Sequence, residues 1–65
     1  MINTSSFRSH YEPFVGKFHE FDSYRILETE NHGRVLYTVK YGDSLLAQET
    51  DFLSAVSACR RHANR

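Results

Sequence analysis

The chain has one cysteine, one proline, three glycines and no tryptophan among its 65 residues. Its single thiol, Cys59, cannot form an internal disulfide, and a lone inward-facing cysteine fits a reducing compartment. So few glycines exclude the glycine-rich loops that cradle phosphates, and no Gly-x-Ser-x-Gly nucleophile motif is present. Because no long apolar run occurs, the sequence predicts neither a signal peptide nor a membrane span, and we expect a cytoplasmic protein.

Chemistry-bearing residues are also sparsely arranged. The four histidines are His10, His19, His32 and His62. No two of them are three to five residues apart, and the cysteine is expected inside, so no metal site is predicted. Serine, histidine and acidic residues occur without a recognisable catalytic spacing. We therefore predict a protein that is not an enzyme and that carries no cofactor and no small-molecule substrate.

The composition is that of a small globular protein. Eight Lys and Arg balance eight Asp and Glu, so no net field steers the chain toward nucleic acid. The length allows one core, whose burial barely offsets chain entropy, and a homodimer or a larger partner is the remaining means of burying more surface. The first residues are small and polar. They predict a flexible tail over residues 1–8, followed by a single α+β domain over residues 9–65.

Turn residues and periodicity define the predicted fold as a three-stranded antiparallel sheet packed against a C-terminal helix. Strands are predicted over residues 23–30, 34–41 and 44–48, separated by Asn31-His32-Gly33 and by a type II′ turn at Gly42-Asp43. Asp51 suits the N-cap of the helix. The apolar stripe of this helix consists of Phe52, Ala55, Val56, Cys59 and Ala63.

A short N-terminal helix is predicted before the sheet. Aromatic and apolar residues recur at spacings of three and four over residues 11–21, which is typical of a helix. Ser9 and Glu12 could form a capping box, or Pro13 could occupy the first turn. Gly16 weakens the pattern, because glycine destabilises a helix interior.

The register of the predicted strands divides their side chains between two faces. If both turns have two residues, Tyr37 and Val39 share a face with Ile26 and Leu46, with Tyr24 and Tyr41 at its margin, and the helix is expected to pack there. A three-residue first turn would instead exchange the faces of the first strand. The second face carries Leu27, Leu36, Leu45 and Ala47, interspersed with Arg25, Thr29, Thr38, Lys40 and Glu49. Either the aromatic N-terminal segment folds across this second face, or part of it is a docking surface for another chain.

These features favour a non-enzymatic protein-binding module that docks on a larger protein or on itself. In size the chain resembles the accessory proteins of phages and mobile elements, including inhibitors of host defence. Tyrosine and arginine dominate interface hot spots. The predicted partner-binding residues are Tyr24, Arg25, Leu36, Tyr37, Lys40, Tyr41 and Leu45.

Nucleic-acid binding through the sheet face and the basic helix end is the alternative. Tyrosines on the strands could stack on bases. Cations could reach phosphates, namely Arg34, Lys40, Arg60, Arg61 and Arg65. Glu28 and Glu30 lie among these residues and oppose a phosphate track.

The predicted order of elements resembles two nucleic-acid-binding families. A helix, three strands and a helix over residues 11–63 resemble the double-stranded RNA-binding domain. That family carries Lys-Lys-x-Ala-Lys at the start of its last helix, and only Ala55 matches this run here. Three strands and a helix also resemble the arm-type DNA-binding domain of phage integrases, whose sheet reads the major groove. Leucines on the corresponding face disfavour that activity.

Overall fold

The computed structural model describes residues 2–65 as one sheet backed by one α-helix. A 3₁₀ turn at Thr4–Ser6 precedes five strands, β1 (Arg8–Glu12), β2 (Gly16–Phe21), β3 (Tyr24–Asn31), β4 (Arg34–Tyr41) and β5 (Ser44–Glu49), and the helix α1 (Phe52–Ala63). Each strand pairs antiparallel with the next, so the sheet is a meander. The α+β prediction is confirmed. The predictions of three strands and of an N-terminal helix are wrong.

The segment with helical spacing is a β-hairpin. The Val15 N–H donates to the Glu12 carbonyl at 3.1 Å, and Phe14 has a φ of 69°. Pro13 and Phe14 therefore occupy the two central positions of a type II turn. Since this turn interrupts the strand alternation, apolar residues of the turn and of β2 fall three and four apart by coincidence. The helix that the double-stranded RNA-binding domain requires before its sheet is replaced by two strands.

Two-residue turns set the register of β3, β4 and β5. His32 and Gly33 have φ values of 55° and 78°, as in a type I′ turn. Gly42 has a φ of 58° and Asp43 a negative one, which matches the predicted type II′ turn. As a result Ile26 lies opposite Val39, as predicted from two-residue turns.

The core lies between α1 and one face of the sheet, which we call the helix face. Ile26 and Val39 from the sheet and Val56 and Cys59 from α1 are fully buried. The Asp51 carboxylate accepts hydrogen bonds from the Ser54 N–H at 2.8 Å and from the Ser54 hydroxyl at 2.9 Å. The predicted strand over residues 34–41 is confirmed. The predicted N-cap and apolar stripe of the helix are also confirmed, except that Ala63 is exposed.

β5 departs from the predicted alternation at a β-bulge. Lys40 lies opposite Leu45 while Val39 lies opposite Ala47, so Leu46 is an extra residue. Leu46 and Ala47 both pack against the core. The bulge reverses the face of every later position, and Glu49 pairs with Tyr37 on the helix face. The prediction that Ala47 and Glu49 lie on the second face is therefore wrong.

The segment before β1 packs against β2 and α1 at the edge of the core. The Phe7 ring lies 5.9 Å from that of Phe21 and 6.0 Å from that of Phe52. The Arg60 Nε–H donates to the Ile2 carbonyl at 2.9 Å. Residues 2–7 of the predicted tail thus have defined contacts, and Met1 lies outside the described residues. No helix in the described part of the chain is long and apolar enough to cross a membrane.

Cys59 provides a reporter of this packing. Its side chain is 0% exposed, and burial raises the pKa of its thiol to about 11. Because the thiolate is the nucleophile, we expect no reaction of the folded protein with a chromogenic disulfide reagent at about pH 8, and complete reaction once denaturant unfolds the chain. Reaction of the folded protein at the rate of a free cysteine peptide would contradict the packing of α1 on the sheet.

Candidate docking face

The sheet face opposite α1, which we call the open face, is not covered by any element of residues 2–65. The open-face side chains are Arg8, His10 and Glu12 of β1, Phe18 and Glu20 of β2, Arg25, Leu27 and Thr29 of β3, Arg34, Leu36, Thr38 and Lys40 of β4, and Leu45 and Gln48 of β5. The N-terminal aromatic segment widens the sheet as β1 and β2. Of the two alternatives for this face, coverage by that segment is therefore excluded.

Apolar side chains of three adjacent strands, Phe18, Leu27 and Leu36, lie along a diagonal of the open face, and Leu45 lies apart from them beside Lys40. Phe18 and Leu27 are half-buried at the centre of the face, whereas Leu36 and Leu45 are 37% and 60% exposed.

A hollow of about 390 Å³ lies beside Leu36, with Thr29 and Arg34 among its lining residues. Val35 of the helix face and Thr50 also line this hollow, so it lies at the end of the strands and not on the open face alone.

The zero net charge of the chain conceals a separation of charge between the two faces. On the strands, the open face carries the cations Arg8, Arg25, Arg34 and Lys40 and the acids Glu12 and Glu20. The helix face carries the acids Glu28, Glu30 and Glu49 and the cation Lys17. The open face is therefore electropositive and complementary to an acidic surface.

One of the open-face cations is held in place by neighbouring side chains. The Arg25 Cζ lies 4.8 Å from the centroid of the Phe18 ring, and its Nε lies 3.8 Å from a carboxylate oxygen of Glu20. His10 stacks on the same phenylalanine with ring centroids 5.4 Å apart. These contacts reduce the conformational freedom that Arg25 would lose on binding.

The predicted partner-binding residues are split between the two faces. Arg25, Leu36, Lys40 and Leu45 lie together on the open face. Tyr24, Tyr37 and Tyr41 lie on the helix face. Tyrosines of a strand with this register cannot share a surface with Leu36 and Lys40, because side chains alternate between faces.

The helix-face tyrosines take part in packing. Tyr24 is buried, and its hydroxyl is hydrogen-bonded to Nδ1 of His62 at 2.8 Å. Tyr41, at the exposed margin, has its ring centroid 4.8 Å from those of both Tyr24 and His62. Desolvation by burial raises the pKa of the Tyr24 phenol and of the Tyr37 phenol, so both stay neutral at physiological pH.

The cations predicted for nucleic-acid binding do not form one surface. Arg34 and Lys40 lie at opposite ends of β4, about 20 Å apart at the rise of a strand. Arg60, Arg61 and Arg65 lie in or beyond the last turn of α1, on the other side of the sheet. Arg60 is in addition bonded to the Ile2 carbonyl. A phosphate backbone following the open face would not reach the C-terminal cluster.

Three side chains of the helix face are linked by hydrogen bonds that the sequence did not predict. The Ser9 hydroxyl lies 2.6 Å from Nδ1 of His19, and Nε2 of His19 lies 2.9 Å from a carboxylate oxygen of Glu28. Because a carboxylate only accepts, we place the imidazole proton on Nε2, so that the Ser9 hydroxyl donates to Nδ1. His19 is buried against Phe52, with ring centroids 4.5 Å apart. These two hydrogen bonds thereby satisfy both ring nitrogens of the buried His19.

The Ser9–His19–Glu28 arrangement has the connectivity of an activated serine, but its surroundings favour a packing role. Neither Ser9 nor His19 lines the hollow beside Leu36 or the cleft at the β1–β2 turn, and Glu28 alone of the three lines that cleft. No signal in the sequence brings Ser9 and His19 together, because only the unpredicted pairing of β1 with β2 places them opposite each other.

The β1–β2 turn forms a second exposed apolar patch. Phe14 is fully exposed at a positive φ, a conformation that favours glycine, and Tyr11 and Val15 are also exposed. A cleft of about 420 Å³ separates this turn from the end of β3. The cleft is lined partly by the charged residues Lys17, Glu28 and Glu30, so it is less apolar than the hollow beside Leu36.

Comparisons with known proteins and a search for metal ligands give no further assignment. A scan against protein-family models and searches of curated proteins and of solved structures found no match to this chain. Within the described residues, no group of three or more His, Cys, Asp and Glu side chains is placed to hold a metal ion.

Proposed function

We propose that this chain is a non-enzymatic binding module that docks its open face on an acidic surface of a larger protein. The observation that carries the proposal is an uncovered face on which Leu36 and Leu45 are exposed among cations. Interfaces of this kind bury apolar anchors at the centre and keep charged groups at the rim.

The charges of the open face favour a different protein over a second copy stacked face to face. Two open faces in contact would bring four cations and two acids against the same set, which is a net repulsion. An acidic partner surface meets the same cations with attraction. The rim cations then mainly raise the association rate and its dependence on salt.

A protein also fits the open face better than a nucleic acid does. Phe18 and Leu27 form an apolar pair at the centre of the face, and Arg25, beside them, already contacts the Phe18 ring and Glu20. Glu20 lies opposite both Arg8 and Arg25 and interrupts the row that they would form along a phosphate backbone.

Acidic substitutions of the two exposed leucines should strongly weaken binding of the partner. Burying the exposed part of each leucine contributes roughly 1 kcal/mol, and an aspartate there also buries a charge. We expect Leu36→Asp with Leu45→Asp to weaken binding at least about 30-fold. The partner is first retained from a lysate of the source cell, then purified and titrated against each variant by calorimetry.

Leu53 offers a matched control for this experiment. It lies on α1 and is 62% exposed, nearly the same as Leu45 at 60%, so Leu53→Asp makes the same chemical change on the opposite side of the molecule. We expect this variant to bind like the unmodified chain. Equal weakening by Leu53→Asp, or full binding by the double variant, would contradict docking through the open face.

A separate titration tests the nucleic-acid alternative. Generic duplex DNA and single strands are titrated at several salt concentrations against the unmodified chain and against Arg34→Ala with Lys40→Ala. We expect neither nucleic acid to bind the unmodified chain at physiological salt. Binding that falls steeply with salt, with a slope reduced in the double variant, would instead support a nucleic-acid-binding domain.

A further inference from the structure

We propose that β1 pairs with β1 of a second copy of this chain, antiparallel and centred on His10. In the meander β1 is an outer strand, so within residues 2–65 one side of its backbone has no strand partner. Unpaired N–H and C=O groups along an edge are a template for another strand. Pairing in this way would join two five-stranded sheets into one of ten strands.

The two edges of the sheet differ in their suitability for such pairing. β1 pairs with β2 through five consecutive positions without irregularity, so its outer edge is regular as well. β5, at the other edge, contains the bulge at Leu46, and α1 packs against it. Bulges and covering elements are common means of blocking an edge. The free edge of β1 has neither.

The charges of β1 are complementary to themselves in one register. An antiparallel pair centred on His10 places Arg8 opposite Glu12 of the second copy, and the symmetry produces this ion pair twice. Arg8 makes no ion pair within its own chain in the described part of the structure. Registers centred on Arg8 or on Glu12 would instead place like charges opposite each other, which is destabilising. Registers centred on Ser9 or on Tyr11 place His10 opposite Arg8 or Glu12, so the register centred on His10 is the one that pairs Arg8 with Glu12 twice.

Aromatic side chains add apolar area on the helix face of the same edge. Tyr11 is exposed and would lie opposite Ser9 of the second copy, diagonal to Phe7 of that copy. Five paired residues still bury less than a standard protein interface. We therefore expect a concentration-dependent dimer with a dissociation constant above about 1 μM. This inference does not rest on docking through the open face, because it needs only the free backbone edge of β1, although the side chains of Arg8, His10 and Glu12 belong to that face.

Charge reversal provides a test that misfolding cannot imitate. Sedimentation velocity over a concentration series should show a monomer–dimer equilibrium for the unmodified chain. We expect Arg8→Glu and Glu12→Arg, each alone, to weaken dimerisation at least about tenfold, because two ion pairs become repulsive. An equimolar mixture of the two variants should form a heterodimer, and the double variant should dimerise again. Arg34→Glu, remote from β1, is the control and should dimerise like the unmodified chain.

Cysteine cross-linking tests the centre of symmetry directly. His10→Cys would face its own counterpart at a Cα separation of about 4.5–5.5 Å, which a disulfide can span. Under mild oxidation we expect His10→Cys to form a covalent dimer faster than Arg8→Cys, whose counterpart is Glu12, while buried Cys59 does not contribute. A monomer at about 1 mM, failure of the charge-reversed mixture to associate, or equal cross-linking of both cysteine variants would overturn the proposal.

Discussion

Replacing Ile26 with alanine should lower the free energy of unfolding by about 2–5 kcal/mol, whereas the same replacement at Leu27 should lower it by about 1 kcal/mol. The two residues are adjacent and have side chains of equal size. Ile26 is 0% exposed between the sheet and α1, while Leu27 is half-buried on the open face. A fully buried truncation leaves a cavity, and a half-exposed one allows water to fill the space.

The difference between these two variants is measurable by urea denaturation followed by far-UV circular dichroism. A chain of this length has a total stability of roughly 3–10 kcal/mol. If the unmodified protein lies near the lower end of that range, Ile26→Ala should be largely or wholly unfolded even without denaturant. Leu27→Ala should unfold cooperatively at a modestly lower urea concentration. Equal losses at the two positions would mean that the open face is covered, and docking through it would lose its basis.

Gly16→Ala should be the most damaging of the glycine substitutions, with a loss of about 2–4 kcal/mol. Gly16 has a φ of 142°, and a Cβ there would lie 2.6 Å from the Glu28 carbonyl oxygen and 3.3 Å from Cγ2 of Thr29. A backbone carbonyl of the neighbouring strand cannot yield without separating β2 from β3. The substitution therefore strains the backbone and disturbs the sheet at the same position.

Gly33→Ala is the control for this prediction. Gly33 also has a positive φ, 78°, but a Cβ there meets no atom within 4 Å, so only the conformational cost of about 1 kcal/mol remains. Thermal denaturation of both variants under the same conditions gives the comparison. If Gly16→Ala were as stable as Gly33→Ala, the close pairing of β2 with β3 at the β1–β2 turn would be wrong.

The C-terminal two-thirds of the fold was predictable because its signals are local. Turn residues that tolerate positive φ separate three alternating segments, and Asp51 precedes an apolar stripe of helical period. The N-terminal hairpin was not predictable in the same way. Its turn centres on Phe14, a residue that rarely adopts positive φ, and the aromatic spacing around it imitates a helix.

The candidate site was predictable only as far as strand alternation holds. Leu27, Leu36 and Leu45 were placed correctly on the face away from the helix. No residue type marks the bulge at Leu46, which arises from packing against α1, so the later part of β5 was assigned to the wrong face. The charge separation between faces also remained hidden, because it depends on β1 and β2.

The two proposed interactions can be separated by the same set of variants. Leu36→Asp with Leu45→Asp should lose partner binding and still dimerise. Glu12→Arg should stay monomeric and still bind through its open face, because the substitution makes that face more positive. Because pairing through β1 would place two open faces side by side on one sheet, a partner with two acidic sites would bind the dimer more tightly than the monomer.

The hydrogen bond between Arg60 and the Ile2 carbonyl brings the two extremities of the chain to the same side of the molecule, behind the sheet. A linker attached at either extremity would therefore lead away from the open face. The protein can be fused to a reporter or immobilised on a support through either end with its open face pointing outward, so either attachment leaves that face accessible to the ligands to be screened.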